Sequence, residues 1–379
     1  MKILIAMDSF KGTLTSLEAG ETIKKAFLTV FPDVLTKVIC VADGGEGMVA
    51  AMMQNLNGEI IKKIVSGPLG KPVEASLCLA NDTAVIEMAA ASGLTLLKKE
   101  ECDPYRASTY GTGELMLAAM DAGAKKIIVG LGGSATNDGG AGMAQALGVR
   151  LEDKAGKELE RGGMALKDLA KIDLSGIDPR IKDIEIVAAC DVKNTLCGKN
   201  GATCIYGPQK GVTPDHEQHL DSAIKNLADR FFSETGIDYE NAEGAGAAGG
   251  LGYGLMAFCG AKVEAGIDTV LRAAKIEEIL MDTDFVITGE GSIDSQTVFG
   301  KTPVGVAKYA KKKRIPVIAI AGQAKEGYEA VYDAGIDAVA ACVNRIMQPE
   351  EAFGNAKTNL FRAAENMARM IRIGMQIKM

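Results

Sequence analysis

Tryptophan is absent, and histidine occurs only twice among 379 residues, with ten phenylalanines and eight tyrosines. So few aromatic faces leave little for nucleobases to stack on. The 42 Lys and Arg are outnumbered by 49 Asp and Glu, for a net charge of −7, whereas nucleic-acid binders carry a basic patch or stripe. No nucleic-acid partner is expected. Both histidines fall in one polar stretch, His216-Glu217-Gln218-His219, with no evident carboxylate or cysteine partner. A zinc site or a Ser-His-Asp hydrolase is hard to build from them. The eight cysteines form no CxxC, and the regular spacing of Cys190, Cys197 and Cys204 fits no zinc pattern. Free, buried thiols in a reducing compartment are the expectation. No run reaches the ~18 apolar residues of a membrane span. The apolar start before Asp8 falls short of the ~7–15-residue core of a signal peptide. A cytoplasmic protein with no membrane partner is expected.

What is present is an ordinary globular composition, 47% hydrophobic and 24% charged, and an excess of glycine. Forty-five of 379 residues are Gly, about 12% against a usual ~7%. They cluster in short loops beside apolar runs, where glycine lets a backbone take positive φ or approach a ligand closely.

Short strand-like runs alternate with helical patterns, which predicts an α/β fold. Residues 1–6 (MKILIA) read as a buried strand, 16–31 as a helix ended by Pro32, and 36–41 (TKVICV) as a second strand. The C-terminal third repeats that grammar, with strands at 284–287, 315–321 and 338–343. A helix runs over 304–313 with Pro303 in its first turn, and a final helix over 349–373. Both ends therefore read as one doubly wound parallel sheet, residues 1–63 and 283–379. Residues 64–282 read as an inserted second α/β domain, with a hairpin across Asn81-Asp82 and strands at 125–129 and 184–189.

The sharpest segment is Gly130–Gly142, GLGGSATNDGGAG, after the strand KKIIV. A strand leading through glycine-rich backbone into a helix offers N–H donors and a positive helix end to a phosphate. GLGGSA also matches G-x-G-x-x-A, with Glu152 and Asp153 about twenty residues on, a dinucleotide fingerprint, although TNDGGAG is poor helix material. Gly244–Gly249, GAGAAG, has no strand before it and serves either close backbone packing or a ligand. Gly300-Lys301-Thr302 resembles the end of a Walker A loop, but Ser295 stands where a glycine is required. Lys301 at a helix start still suits an anion.

Asp43, Glu46, Asp138, Asp191, Glu290 and Asp294 lie in these loops, three of them (Asp43, Asp191, Glu290) near predicted strand ends. They are either turn and helix caps or Mg²⁺ ligands and general bases. Lys11, Arg106, Lys193 and Lys210 stand near as surface charges or as partners for a carboxylate or phosphate.

The ordered motifs DSFKGTLTS (8–16), VADGGEG (41–47), STYGTGEL (108–115), GLGGSATNDGGAG (130–142), CDVKNTLCGKNGATCIYGPQKG (190–211), EGAGAAGGLG (243–252) and TGEGSIDSQTVFGKTPVGVA (288–307) resemble the bacterial type-1 glycerate kinases over residues 1 to about 375. The resemblance implies ATP-dependent, Mg²⁺-assisted phosphorylation of D-glycerate. It also implies two α/β domains, one flavodoxin-like and discontinuous, with the site in the cleft between them. The implied product is 2-phosphoglycerate, with the 3-isomer as the alternative. On that reading the amides of Gly132, Gly133 and Ser134 hold nucleotide phosphates, and Asp43 or Asp191 holds Mg²⁺. Lys11 or Lys301 stabilises the transferred group, and Arg106, Lys193 or Lys210 clamps the glycerate carboxylate. Asp191 or Asp294 accepts the hydroxyl proton. GLGGSA is also close to the phosphate loop of the GHMP sugar and mevalonate kinases, which use a different motif order. A nicotinamide-dependent hydroxyacid oxidoreductase would lack a His/Arg catalytic pair here. A non-catalytic glycerate-binding regulator would need none of the Mg²⁺ carboxylates.

Overall fold

A computed structural model of the chain describes residues 1–42, 45 and 47–377. It divides into two compact units. The first comprises Met1–Asp43, Ala50–Asn57 and Ile267–Met379.

The first unit is built on five parallel strands. Across the sheet they run Leu35–Cys40, Lys2–Met7, Phe285–Gly289, Val317–Ala321 and Ala338–Ala341. Numbered along the unit this is the order 2-1-3-4-5, that of flavodoxin-like sheets. The central strands KILIAM and FVITG are apolar and almost wholly buried, as strands covered on both faces must be. Helix Ser16–Val30 starts from a capping box. The Glu18 amide donates to Thr15 Oγ1 (3.2 Å) and the Thr15 amide to Glu18 Oε2 (2.9 Å). Its buried stripe of Ile23, Ala26, Phe27 and Val30 joins Leu360, Ala364 and Met367 in the core. Helix Thr302–Lys312 carries proline in its first turn, where the missing N–H costs nothing. The single final helix expected over 349–373 is two, Pro349–Gly354 and Ala356–Gln376. Gly354 and Asn355, both weak helix formers, interrupt it, with Asn355 at φ −107° and ψ 13°.

The second unit comprises Gly44–Val49 and Gly58–Gly266. Its sheet has six strands: Glu59–Ser66, Pro72–Ala80, Thr83–Glu87, Lys126–Gly130, Glu185–Ala189 and Lys262–Glu264. The first two pairings are antiparallel and the rest parallel. The hairpin across Asn81-Asp82 forms as expected, with Ala80 opposite Thr83. Asn81 takes φ 55°, the left-handed conformation that a tight two-residue turn requires and Asn tolerates. Strand Glu59–Ser66 pairs along its whole length with Pro72–Ala80, so this sheet begins before residue 64. A separate core of Leu77, Ile86, Leu115, Ile127, Val129, Leu227, Leu251 and Phe258 fills the unit. All eight cysteines are free thiols, and burial pushes Cys259 and Cys342 up to about 12. No helix among the described residues is long and apolar enough to cross a membrane.

Candidate active site

In an open α/β sheet, ligands bind beyond the carboxyl ends of the strands, where the strand order reverses. In the first unit that point lies between Lys2–Met7 and Phe285–Gly289, and the residues just past it are Asp8 and Glu290. Asp8 is buried, with Oδ1 accepting from the Ser9 amide and Oδ2 from Thr302 Oγ1, each at 2.6 Å. Its own amide donates to Gly289 O at 2.9 Å, which ties the two loops together. Glu290 Oε1 accepts from Thr297 Oγ1 at 3.2 Å. Burial raises the Glu290 carboxyl to about 7; Lys301 opposes this and the Asp8 charge adds to it. Asp294 pairs with Lys301 at 3.4 Å. Burial works against its charge, yet the Gln296 amide (2.9 Å) and Lys301 hold it below its ordinary value. Asp8, Lys11, Glu290, Asp294 and Lys301 all line one cavity of about 610 Å³. Two neighbouring carboxylates therefore sit in different protonation regimes, one poised near neutrality and one ionised.

The glycine loop of the second unit is organised differently. Asp138 is fully buried. Its Oδ2 accepts from Thr109 N (2.8 Å), Thr109 Oγ1 (2.9 Å) and Gly142 N (3.2 Å), and its Oδ1 from Gly140 N (3.1 Å). Desolvation still raises its pKa against those four bonds. The Met143 amide goes to Thr109 Oγ1 at 2.9 Å and the Ala141 amide to Asp138 O at 3.0 Å. The start of helix Ala141–Ala146, expected to meet a ligand phosphate, is thus capped by the chain itself. Lys210, expected at a substrate carboxylate, is 1% exposed. Its Nζ donates to Ser134 Oγ and Thr136 O, both at 2.7 Å. Burial pushes its pKa down to about 7, so the ammonium is covered rather than offered. Ser134 is the buried partner of that lysine. What stays accessible is Gly132 and Gly133, whose amides no described residue accepts.

The second glycine match is what packs against this loop. Within helix Ala247–Cys259, Ala248, Gly249 and Gly250 take φ of 51°, 70° and 88°. Gly139 N donates to Gly249 O at 3.0 Å. A Cβ on Gly249 would lie 1.9 Å from Thr136 O. Of the two readings open for GAGAAG, close backbone packing is the one the geometry bears.

The remaining expected residues are dispersed. Arg106 is exposed and lines a cavity of about 900 Å³ in the second unit with Tyr105, Tyr110 and Arg161. Arg161 lies 3.3 Å over the Tyr110 ring. Asp191 Oδ1 accepts from Gly266 N at 3.0 Å, at the start of helix Gly266–Ala273. Lys193 is exposed and pairs with Glu243 at 3.3 Å. Asp43 and Glu46 lie outside the described residues. Glu87, not singled out in the sequence, accepts from the amides of Gly47 (3.1 Å) and Val49 (2.8 Å) where helix Met48–Leu56 begins. Its signal is an acidic residue closing an otherwise apolar strand, TAVIE. His216 Nδ1 is bonded to Thr213 Oγ1 at 2.9 Å.

The family model described as the glycerate kinase family matches residues 3–372. The chain belongs to the glycerate kinase family. It is 50% identical over 375 residues to the glycerate kinase of Bacillus subtilis (strain 168), with 98% of each chain covered. It is 48% identical over 378 residues to the glycerate 2-kinase of Escherichia coli (strain K12), with 99% of each covered. A crystal structure from Salmonella typhimurium LT2, assigned to glycerate kinase 2, superposes with a TM-score of 0.91 at 45% identity, covering 100% of both chains. Membership makes this a phosphotransferase with an alcohol acceptor and ATP as phosphoryl donor.

For a glycerate kinase, the lysine–carboxylate cavity offers the right inventory. Phosphoryl transfer needs positioning and charge neutralisation more than covalent help, and the first unit supplies cations and carboxylates at one strand-end cavity. Among the described residues no group of three or more His, Cys, Asp or Glu is arranged to hold a metal.

Proposed function

We propose that this chain transfers the γ-phosphoryl group of ATP to the 2-hydroxyl of D-glycerate in the cytoplasm, with Mg²⁺. The observation that carries the reading is the convergence of Asp8, Lys11, Glu290, Asp294 and Lys301 on one cavity at the switch point of a flavodoxin-like sheet. Lys11 and Lys301, both lining that cavity, would neutralise charge on the transferred group. Asp294, kept ionised, and Asp8 are the carboxylates that would hold Mg²⁺, which supplies charge neutralisation on the phosphates when bound. Asp191, the other expected ligand, accepts from the Gly266 amide at a helix start, and Asp43 lies outside the described residues.

The hydroxyl proton needs an acceptor whose pKa lies near the working pH. Glu290, at about 7, fits that requirement better than Asp294, which is held below its ordinary value. Gly132 and Gly133 keep amides able to meet an anionic oxygen, and Arg106 an exposed guanidinium able to meet a carboxylate. Lys193 is paired with Glu243 on the surface, and a solvated pair contributes little.

The test is to incubate the purified protein with ATP, Mg²⁺ and D-glycerate and follow product through enolase, with and without phosphoglycerate mutase. Signal with enolase alone supports 2-hydroxyl transfer. Signal only with mutase present overturns the regiochemistry in favour of the 3-isomer. No signal in either arm overturns D-glycerate as the acceptor.

A further inference from the structure

The cavity of the first unit has a second half that phosphoryl transfer to glycerate does not use. Besides the lysines and carboxylates, its lining includes the apolar side chains of Phe10, Val343, Met347 and Phe353. Phe353 is 64% exposed, an aromatic side chain lining the cavity and open to solvent. A three-carbon hydroxy acid has no apolar surface to bury against such a wall. A nucleoside does, and about 610 Å³ falls in the ordinary range of ~300–1,000 Å³ for small-molecule pockets.

Asn359, on helix Ala356–Gln376, lines the same cavity and is 7% exposed. Its Nδ2 reaches only the Met347 thioether, at 3.9 Å, and thioether sulfur is a weak acceptor. No described residue donates to its Oδ1. With so little bonding inside the chain, this carboxamide keeps hydrogen-bonding capacity for a ligand in the cavity. Asn meets the adenine edge with two bonds, Oδ1 accepting from the N6 amino group and Nδ2 donating to a ring nitrogen.

We propose that Asn359 reads the base of the donor nucleotide, with the adenine ring lying between Asn359 and the apolar wall that ends in Phe353, and the phosphates directed to the lysine–carboxylate end. This makes Asn359 a specificity-determining residue. It rests on the reading that ATP is the phosphoryl donor. An acceptor-only carboxylate at 359 could not donate to an adenine ring nitrogen, but it would accept from the N1–H and N2 amino groups of guanine.

The experiment is calorimetric titration of ADP and of GDP into the full chain without glycerate, for the wild type, Asn359→Asp and Phe353→Ala, with thermal unfolding as the check on folding. The wild type should prefer ADP. Asn359→Asp should lower the ADP:GDP affinity ratio by at least about tenfold, the scale of one lost bidentate base contact. Phe353→Ala should weaken both nucleotides by roughly fivefold or more, as loss of base–aromatic stacking does, with the ratio kept. A folded Asn359→Asp protein whose ratio stays unchanged overturns the proposal. So does Phe353→Ala with wild-type ADP affinity, and that variant decides the matter if Asn359→Asp does not fold. Parallel turnover assays separate the two readings. A wild type that phosphorylates glycerate while both variants bind ADP normally rejects the base site alone. A wild type that shows the ratio shift on Asn359→Asp but no glycerate turnover keeps the base site and rejects the acceptor.

Discussion

Two sets of loops follow strand ends in this protein, and they treat their polar groups in opposite ways. In the second unit, Gly130–Gly142 closes on itself. Asp138 takes four donors, Lys210 donates hydrogen bonds to Ser134 Oγ and Thr136 O, and the Gly139 amide donates to the left-handed backbone at Gly249. In the first unit the loops after Met7 and Gly289 carry fewer glycines, and their charged side chains line a cavity. Glycine density here reports how closely two backbones approach. Charged side chains gathered on one cavity at a strand end mark the candidate ligand site.

The comparison breaks most readily at Glu290. Glu290→Gln should lower kcat by about 10²–10⁴ in steady-state turnover, the usual contribution of a positioned base, with the unfolding temperature kept. Lys301→Ala should lower kcat by about 10²–10³, the scale of one lost charge-stabilising group. Gly249→Ala acts on the other unit. With φ at 70° and Thr136 O 1.9 Å from the added carbon, it should destabilise by about 1–3 kcal/mol or more through backbone strain, read by chemical denaturation. Asp138→Asn should cost about 1–3 kcal/mol because an N–H₂ group then faces amide donors, while kcat in the folded fraction stays near wild type. Lys193→Ala should be smallest, since an exposed pair contributes ~0–1 kcal/mol.

Much of the fold was legible from periodicity. Continuous apolar runs such as KILIA and IPVIAIA marked buried parallel strands, and Asn81-Asp82 marked a hairpin. The break at Gly354-Asn355 was hidden because the apolar stripe continues on either side of it. The loops of the candidate site were legible as motifs, but roles within them depend on burial. Nothing in the letters DSFKG or TGEGSID says that Glu290 is desolvated while Asp294 is held charged by the Gln296 amide and Lys301. Burial likewise turns Lys210 from a plausible anion contact into an internal brace. Asn359 carried a faint signal, a polar residue one position before Leu360 on the buried face that continues through Ala364 and Met367.

The most direct test of the account is the pH dependence of kcat/KM for D-glycerate in the wild type and in Glu290→Gln. A base must be deprotonated to act, so wild-type activity should be low below, and rise through, a pH near the Glu290 value of about 7. The residual activity of Glu290→Gln should lack that limb. The same rising limb in Glu290→Gln, at undiminished kcat, would contradict the placement of the chemistry at the switch point of the first unit.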